Sequence, residues 1–219
     1  MYIQITERCN MRCRHCCMKA THRGRDMTFD VFKKALEYDD IIAIGGGEPT
    51  VHPEFEKFLL YAIANVDDVW LATNGKITDI ALALAALAKK GVIGCALSMD
   101  DYHGRIDGKV VHAFVDDKPS DNDYRFRDRA TGEMDLREIR DVTGKVSAVG
   151  RDADWEDATD DCACPGPFVK PDGKVYQCGC PDSFQIGDVF DGFMMEGAEE
   201  CYKEVEKTLA EMRKEELPV

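Results

Sequence analysis

A chain of 219 residues with 44% hydrophobic content is long enough to bury one main core with a small appendage. Its net charge of -14 argues against a phosphate-rich polymer as partner, because nucleic-acid binding depends on clustered Lys and Arg; a local basic patch stays open. The longest apolar run, Ile80 to Ala88, is about half of the roughly 18 residues that a membrane span needs and is followed by Lys89-Lys90, so no membrane partner is expected.

The chain enters Tyr2-Ile3-Gln4-Ile5 without a basic region, apolar stretch and small-residue cleavage site, which predicts a cytoplasmic location. In that compartment thiols stay reduced, so ten cysteines point to metal ligation or catalysis rather than to disulfides. They are grouped. Cys9, Cys13, Cys16 and Cys17 form one set, Cys162, Cys164, Cys178 and Cys180 a second, Cys201 lies shortly downstream, and Cys95 stands alone in an apolar run.

Short apolar runs alternate with helical patterns over the first hundred residues, the signal for βαβ units and a parallel sheet, hence an α/β fold. Tyr2 to Thr6 reads as the first strand and runs into Cys9, Cys13 and Cys16, a C-x3-C-x2-C triplet with no fourth cysteine at metal-ligand spacing. A closed structural site wants four protein ligands, whereas a site that performs chemistry keeps a position free. A zinc knuckle borrowing a distant ligand is the alternative. Cys17, adjacent to Cys16, reads as a packing or redox bystander.

Thr28 caps a helix that runs to Leu36, Ile41 to Ile44 is the second strand, and Pro53 to Leu60 the next helix. The second strand ends in Gly45-Gly46-Gly47-Glu48-Pro49-Thr50, where glycines let backbone groups approach a ligand; the lysine of a phosphate-cradling loop is missing. Val69 to Ala72 is the third strand, closed by Thr73-Asn74-Gly75, and Ile77 to Lys89 a helix. Val92 to Leu97 is the fourth, closed by Ser98-Met99-Asp100-Asp101-Tyr102-His103. Asn-Gly is also an ordinary turn, and Ser or Asp after a strand an ordinary cap.

Beyond Asp101 the pattern thins. Val110, Val111 and Phe114 suit a helical turn better than strict alternation in a segment too short to decide, and Val146 to Val149 suit a strand followed by Gly150-Arg151. Lys170 to Tyr176 carries a Pro171-Asp172-Gly173 turn between β-prone residues, so it predicts a hairpin that brings Cys162 and Cys164 towards Cys178 and Cys180. Those four could bind zinc or an iron-sulfur cluster. Met194 to Glu215 reads as an amphipathic helix with Val205, Leu209 and Met212 on one face.

The triplet followed by Gly46-Gly47-Glu48 on the next strand resembles the radical S-adenosylmethionine (radical SAM) superfamily, and the resemblance covers residues 1 to about 100 well. It implies an abbreviated, open (β/α) barrel over 1–160, with a 4Fe-4S cluster on Cys9, Cys13 and Cys16 whose unique iron chelates S-adenosylmethionine (SAM). His15 takes the place of the aromatic that lies against the adenine in that family. Gly46, Gly47 and Glu48 resemble its GGEP element beside the methionine amino group, Asn74 its TNG segment, and Ser98 and Asp100 its S-x-D segment. Ser98 is then expected near the ribose or methionine carboxylate, and Asp100 and His103 towards substrate. Gly150-Arg151 resembles a GRA segment with Asp152 in place of the small residue.

Residues 161–219 are similar to the twitch and SPASM extensions of that superfamily, since Cys162 opens C-x10-G-x4-C. This favours an auxiliary 4Fe-4S cluster over zinc, with Cys201 able to replace one ligand. The implied activity is reductive cleavage of SAM to a 5′-deoxyadenosyl radical that abstracts hydrogen from a peptide or small-molecule substrate, with a low-potential donor such as flavodoxin or ferredoxin. The alternatives are a glycyl radical enzyme activase and a non-catalytic iron-sulfur electron-transfer or carrier protein.

Overall fold

The structure, a computed structural model, describes residues 1–116, 135–141, 146–147, 158–159, 166–180 and 183–193, the two dipeptides 146–147 and 158–159 by their backbone alone. Strands β1 (Tyr2–Thr6), β2 (Ile41–Gly46), β3 (Asp68–Thr73) and β4 (Gly94–Ser98) are followed respectively by helices α1 (Phe29–Ala35), α2 (Phe55–Asn65), α3 (Thr78–Lys89) and α4 (Gly108–Val115). The strands pair in sequence order and all parallel. Alternation sorts their side chains: Ile3, Ile5, Ile42, Ile44, Leu71 and Leu97 are buried together against Phe32, Phe58, Leu84 and Phe114 of the helices. Tyr2, Gln4 and Thr6 alternate with that set, so β1 turns a more polar face away from the helices.

Helix α1 starts where its cap dictates. The Thr28 hydroxyl accepts from the Val31 N–H at 3.4 Å, and Phe32 and Ala35 are fully buried. Thr28→Ala is expected to cost about 1 kcal/mol, read as a lower urea midpoint with an unchanged slope. Helix α2 begins later and ends later than Pro53 to Leu60, because Pro49–Val51 forms a separate 3-10 turn under the Glu48 cap. The fourth strand starts at Gly94 rather than Val92, since the Val92 N–H still bonds Leu87 O in the turn leaving α3.

Strands β5 (Arg137–Arg140), β6 (Val146–Ser147), β7 (Ala158–Thr159), β8 (Phe168–Val169), β9 (Lys174–Tyr176), β10 (Gln185–Asp188) and β11 (Gly192–Phe193) complete the described elements. β6 and β7 pair only with each other. The rest form one nine-stranded sheet in the order β11-β10-β9-β8-β1-β2-β3-β4-β5. From β8 to β5 every neighbour is parallel, which gives the open α/β barrel that the sequence implies. The predicted hairpin is β8–β9, turned at Gly173 with φ +87°, and it enters the main sheet by pairing Tyr2 with Phe168. The second half of the predicted Val146–Val149 strand, Gly150-Arg151, Cys162, Cys164, Cys201 and the C-terminal helix lie outside the described residues.

Candidate metal and cofactor site

Because β1 to β4 run parallel, the loops after Thr6, Gly46, Thr73 and Ser98 all leave the sheet at its carboxyl edge, and the sequence-predicted residues of the first hundred meet there. Cys9, Cys13 and Cys16 lie half-buried in the loop after β1. That loop is pinned by its backbone: the Cys9 N–H donates to Thr21 O at 2.6 Å, and the Glu48 N–H donates to Arg8 O at 2.8 Å. The Met11 N–H points at Cys9 Sγ at 3.3 Å.

Glycines at the end of β2 make the pinning geometrically feasible. A Cβ on Gly46, whose φ is +151°, would fall 2.2 Å from Thr6 O, and one on Gly47 would fall 2.3 Å from Arg8 O. What the glycine run admits here is the backbone leaving β1. The Gly47 N–H donates to Thr6 O and the Gly46 N–H to the Tyr2 hydroxyl, both at 2.9 Å.

Glu48 is 2% exposed and ties two strand ends together. Its Oε1 accepts from the Thr50 hydroxyl at 2.6 Å, the Thr73 hydroxyl at 2.8 Å and the Thr50 N–H at 3.3 Å, and its Oε2 from the Asn74 N–H at 2.7 Å. Burial pushes its carboxyl above the usual carboxylate range, and these hydrogen bonds only partly offset that. Held in this way, Asn74 directs its side-chain amide to Asn10 Oδ1 at 2.8 Å and towards Cys9 Sγ at 3.7 Å. Thr50 and Asn10 were not among the expected site residues. A hydroxyl two residues after a carboxylate that must be buried is the only signal the sequence offers for Thr50.

On the β4 side, Asp100 Oδ1 accepts from His103 Nδ1 at 2.7 Å and from the N–H groups of Tyr102 and His103 at 2.9 and 3.1 Å. The His15 ring lies 5.0 Å from that of Tyr102 and 4.9 Å from that of His103. Donor atoms of Cys13, His15 and His103 fall within 4.8 Å of one another. Burial pulls the His15 pKa down to about 4, with Asp100 opposing and His103 and Arg140 reinforcing, so the ring is neutral at neutral pH. Ser98 closes β4 half-buried, opposite Arg140 of β5.

The donor set fits a cationic metal centre. Burial raises the Cys9 thiol and pushes Cys13 up to about 11, and neighbouring thiols add to both, so a positive charge among them is what would draw these two into the thiolate form. A polar molecule fits beside it. Buried His15 Nδ1 and Asp100 Oδ2 have no hydrogen-bond partner, and an orphaned buried polar atom costs about 1–3 kcal/mol unless a ligand meets it.

Three cysteines, one short of a closed four-ligand site, at the carboxyl edge of an open parallel sheet suit a metalloenzyme that reserves a coordination position for a bound molecule. A sequence model of the Radical SAM superfamily matches residues 3–127, more than half of the chain, and the chain belongs to that superfamily. Membership implies SAM and a 4Fe-4S cluster as cofactors.

The tungsten-containing aldehyde ferredoxin oxidoreductase cofactor-modifying protein of Pyrococcus furiosus is 34% identical over 108 residues, 46% of this chain and 30% of that protein. The mycofactocin maturase MftC of Mycobacterium tuberculosis is 34% identical over 94 residues, 38% of this chain and 23% of that one. The GTP 3′,8-cyclase of Chlorobaculum tepidum is 31% identical over 107 residues, 45% and 32% of the two chains. The matches thus span less than a third of each relative's length. The same fold is seen in BtrN, solved in complex with AdoMet and 2-DOIA, at a TM-score of 0.61 and 13% identity over 95% of this chain and 85% of that one. It recurs in anSMEcpe with bound AdoMet at 0.53 and 17%, over 94% and 82%.

Proposed function

We propose that this chain holds a 4Fe-4S cluster on Cys9, Cys13 and Cys16, cleaves SAM reductively beside it, and abstracts hydrogen from a peptide or small-molecule substrate. The observation that carries the reading is the pair of orphaned polar atoms, His15 Nδ1 and Asp100 Oδ2, buried next to a thiol triplet that lacks a fourth cysteine. When bound, the cluster and SAM together supply the electron transfer and the 5′-deoxyadenosyl radical.

The chain's own residues position and enclose. The neutral ring of His15 offers a flat face to the adenine, and Asn74 fixes Asn10 and Cys9 at the mouth of the loop. Gly46 and Gly47 spend their N–H groups on Tyr2 and Thr6, so a methionine ammonium, which is a donor, meets only backbone acceptors there. Glu48 adds a buried negative charge at short range, complementary to the ammonium and sulfonium of SAM. Ser98 serves the ribose or the methionine carboxylate, and Asp100 with His103 faces the substrate.

Residues 1–160 form the catalytic barrel in this reading, and 161–219 a twitch-type extension holding an auxiliary 4Fe-4S cluster. Its support is that Cys178 and Cys180, both 5% exposed, lie just past the β8–β9 hairpin. Cys162 and Cys164, outside the described residues, complete the set. A peptide substrate finds support in relatives named as maturases and in anSMEcpe, whose fold recurs here and which was solved with bound AdoMet and a Kp18Cys peptide.

The test is anaerobic reconstitution of the chain followed by mass-spectrometric measurement of 5′-deoxyadenosine and methionine in the presence of SAM and a chemical reductant. Both products are expected from the iron-loaded chain and neither from the iron-free one. An iron-loaded chain that is reduced yet forms no deoxyadenosine sinks the reading and leaves an electron carrier.

A further inference from the structure

On the β4 side of the site three side chains meet in a combination that the thiol triplet does not account for. Donor atoms of Cys13, His15 and His103 fall within 4.8 Å of one another, and among the described residues no other three cysteine, histidine or carboxylate groups come together so tightly, Cys9, Cys13 and Cys16 included. Donors around one tetrahedral ion stand roughly 3–4 Å apart, because metal–nitrogen and metal–sulfur bonds run about 2.0–2.3 Å. A small closing movement brings the Cys-His-His group to those dimensions.

The surroundings are also those of a ligand set. His103 donates through Nδ1 to Asp100 Oδ1 at 2.7 Å, which fixes its tautomer and leaves the Nε2 lone pair for an ion. The Asp100 side chain is 1% exposed, so this is a buried carboxylate orienting a histidine. His15 Nδ1, buried without a hydrogen-bond partner, offers a second lone pair. The two rings meet edge-on, centroids 4.9 Å apart with 62° between their planes, an approach that lets a nitrogen of each face one point as a stack does not. Asp100 supplies negative charge against Arg140, which also acts on His15, and its buried, unpartnered Oδ2 can accept from a water on the ion.

We propose that the cluster-free chain binds one zinc-class divalent ion on Cys13, His15 and His103, with Asp100 as the positioning residue and the fourth coordination place left to water. The donors select the class: one thiolate and two neutral imidazoles suit zinc, whereas calcium and magnesium take oxygen ligands. Binding releases the Cys13 thiol proton to solvent and changes no oxidation state. Because Cys13 is shared, this ion and a centre on Cys9, Cys13 and Cys16 exclude each other, a step that rests on the assignment of an iron-sulfur cluster to the triplet. The competing arrangement is zinc on all three cysteines, which has no use for His103.

The test uses the metal-free full chain with its thiols reduced under anaerobic conditions, and cobalt(II) as the spectroscopic probe. The readout is the difference spectrum between wild type and His103→Ala, in which cobalt held by the later cysteines cancels. Tetrahedral d–d bands and the charge transfer of one thiolate per cobalt are expected, bleached by zinc. Affinity is expected to be at least about 100-fold weaker in His103→Ala, and about tenfold weaker in Asp100→Asn with its d–d bands shifted. His15→Ala, also expected to lose at least about 100-fold, serves if His103→Ala does not fold. Cys9→Ala should bind as the wild type does, and Cys13→Ala should not. After iron loading the wild type should take up no more zinc than His103→Ala. A difference spectrum without thiolate charge transfer, affinity unchanged in both histidine variants, equal losses in Cys9→Ala and Cys13→Ala, or extra zinc that persists after iron loading overturns the proposal. An iron-loaded wild type that forms no deoxyadenosine overturns the SAM reading instead, since the cobalt bands are recorded before any iron is present.

Discussion

Alanine at Cys13 is expected to reduce deoxyadenosine formation by more than about 100-fold, because losing even an outer-sphere partner of a metal ligand typically costs 10–100-fold and here the proposed ligand itself is removed. The effect should be chemical, not structural. Cys13 is half-buried in an irregular loop whose backbone is anchored elsewhere, through the Cys9 N–H on Thr21 O and the Glu48 N–H on Arg8 O. The iron-free variant should therefore unfold in urea within about 0.5 kcal/mol of the iron-free wild type, while reconstitution fails to restore iron and activity together. Cys95→Ala is the control. That thiol lies in the core with burial driving its pKa upward, so it has no thiolate character, and its loss should cost about 1 kcal/mol of stability without changing iron content or cleavage. A Cys13→Ala chain that keeps both iron and cleavage would remove the triplet from the mechanism.

The first three βα units and the fourth strand are legible because each rule acts locally: an apolar run long enough for a strand, a cap such as Thr28, then helical spacing of Val31, Phe32 and Ala35. Strand β5 is not legible. Arg137-Glu138-Ile139-Arg140 is too charged to read as a strand, and it becomes one, at the edge of the sheet, through pairing with β4. Arg137 is 2% exposed because Asp135 forms an ion pair with its guanidinium and Ala113 O accepts from it, partners that local spacing does not assign. Likewise the Pro171-Asp172-Gly173 turn announces a hairpin, but nothing local says that Phe168-Val169 will lie parallel to β1. The candidate site was legible as a set of residue types at four strand ends. Its internal wiring was not: the motif placed Glu48 near a ligand, whereas the direction of its carboxylate depends on Thr73 and Asn74, 25 and 26 residues away.

Glu48 separates structure from charge, and two substitutions are expected to pull the two apart. Glu48→Ala leaves the hydroxyls of Thr50 and Thr73 free to turn to other acceptors, but the N–H groups of Thr50 and Asn74 cannot move without their backbones. Two buried donors without acceptors predict a loss of about 2–4 kcal/mol in urea unfolding, and a freed Asn74 should weaken iron retention as well. Glu48→Gln keeps the length and one acceptor oxygen but turns an NH2 towards one of the two backbone donors, so it should cost about 1–2 kcal/mol, less than Glu48→Ala. Since the folded-state pKa is raised, the folded chain holds this proton more tightly than the unfolded one, whose value is about 4.3. The corresponding stability is present below the unfolded value and is lost as pH rises through the folded one, a decline that Glu48→Gln should lack. SAM brings two cations to the neighbourhood of that carboxylate, so the wild type should bind it about tenfold more tightly than Glu48→Gln at neutral pH, with iron content equal in the two. Equal SAM affinity in both chains would show that Glu48 acts only as the tie between β2 and β3, and a stable Glu48→Ala chain would show that it is not even that.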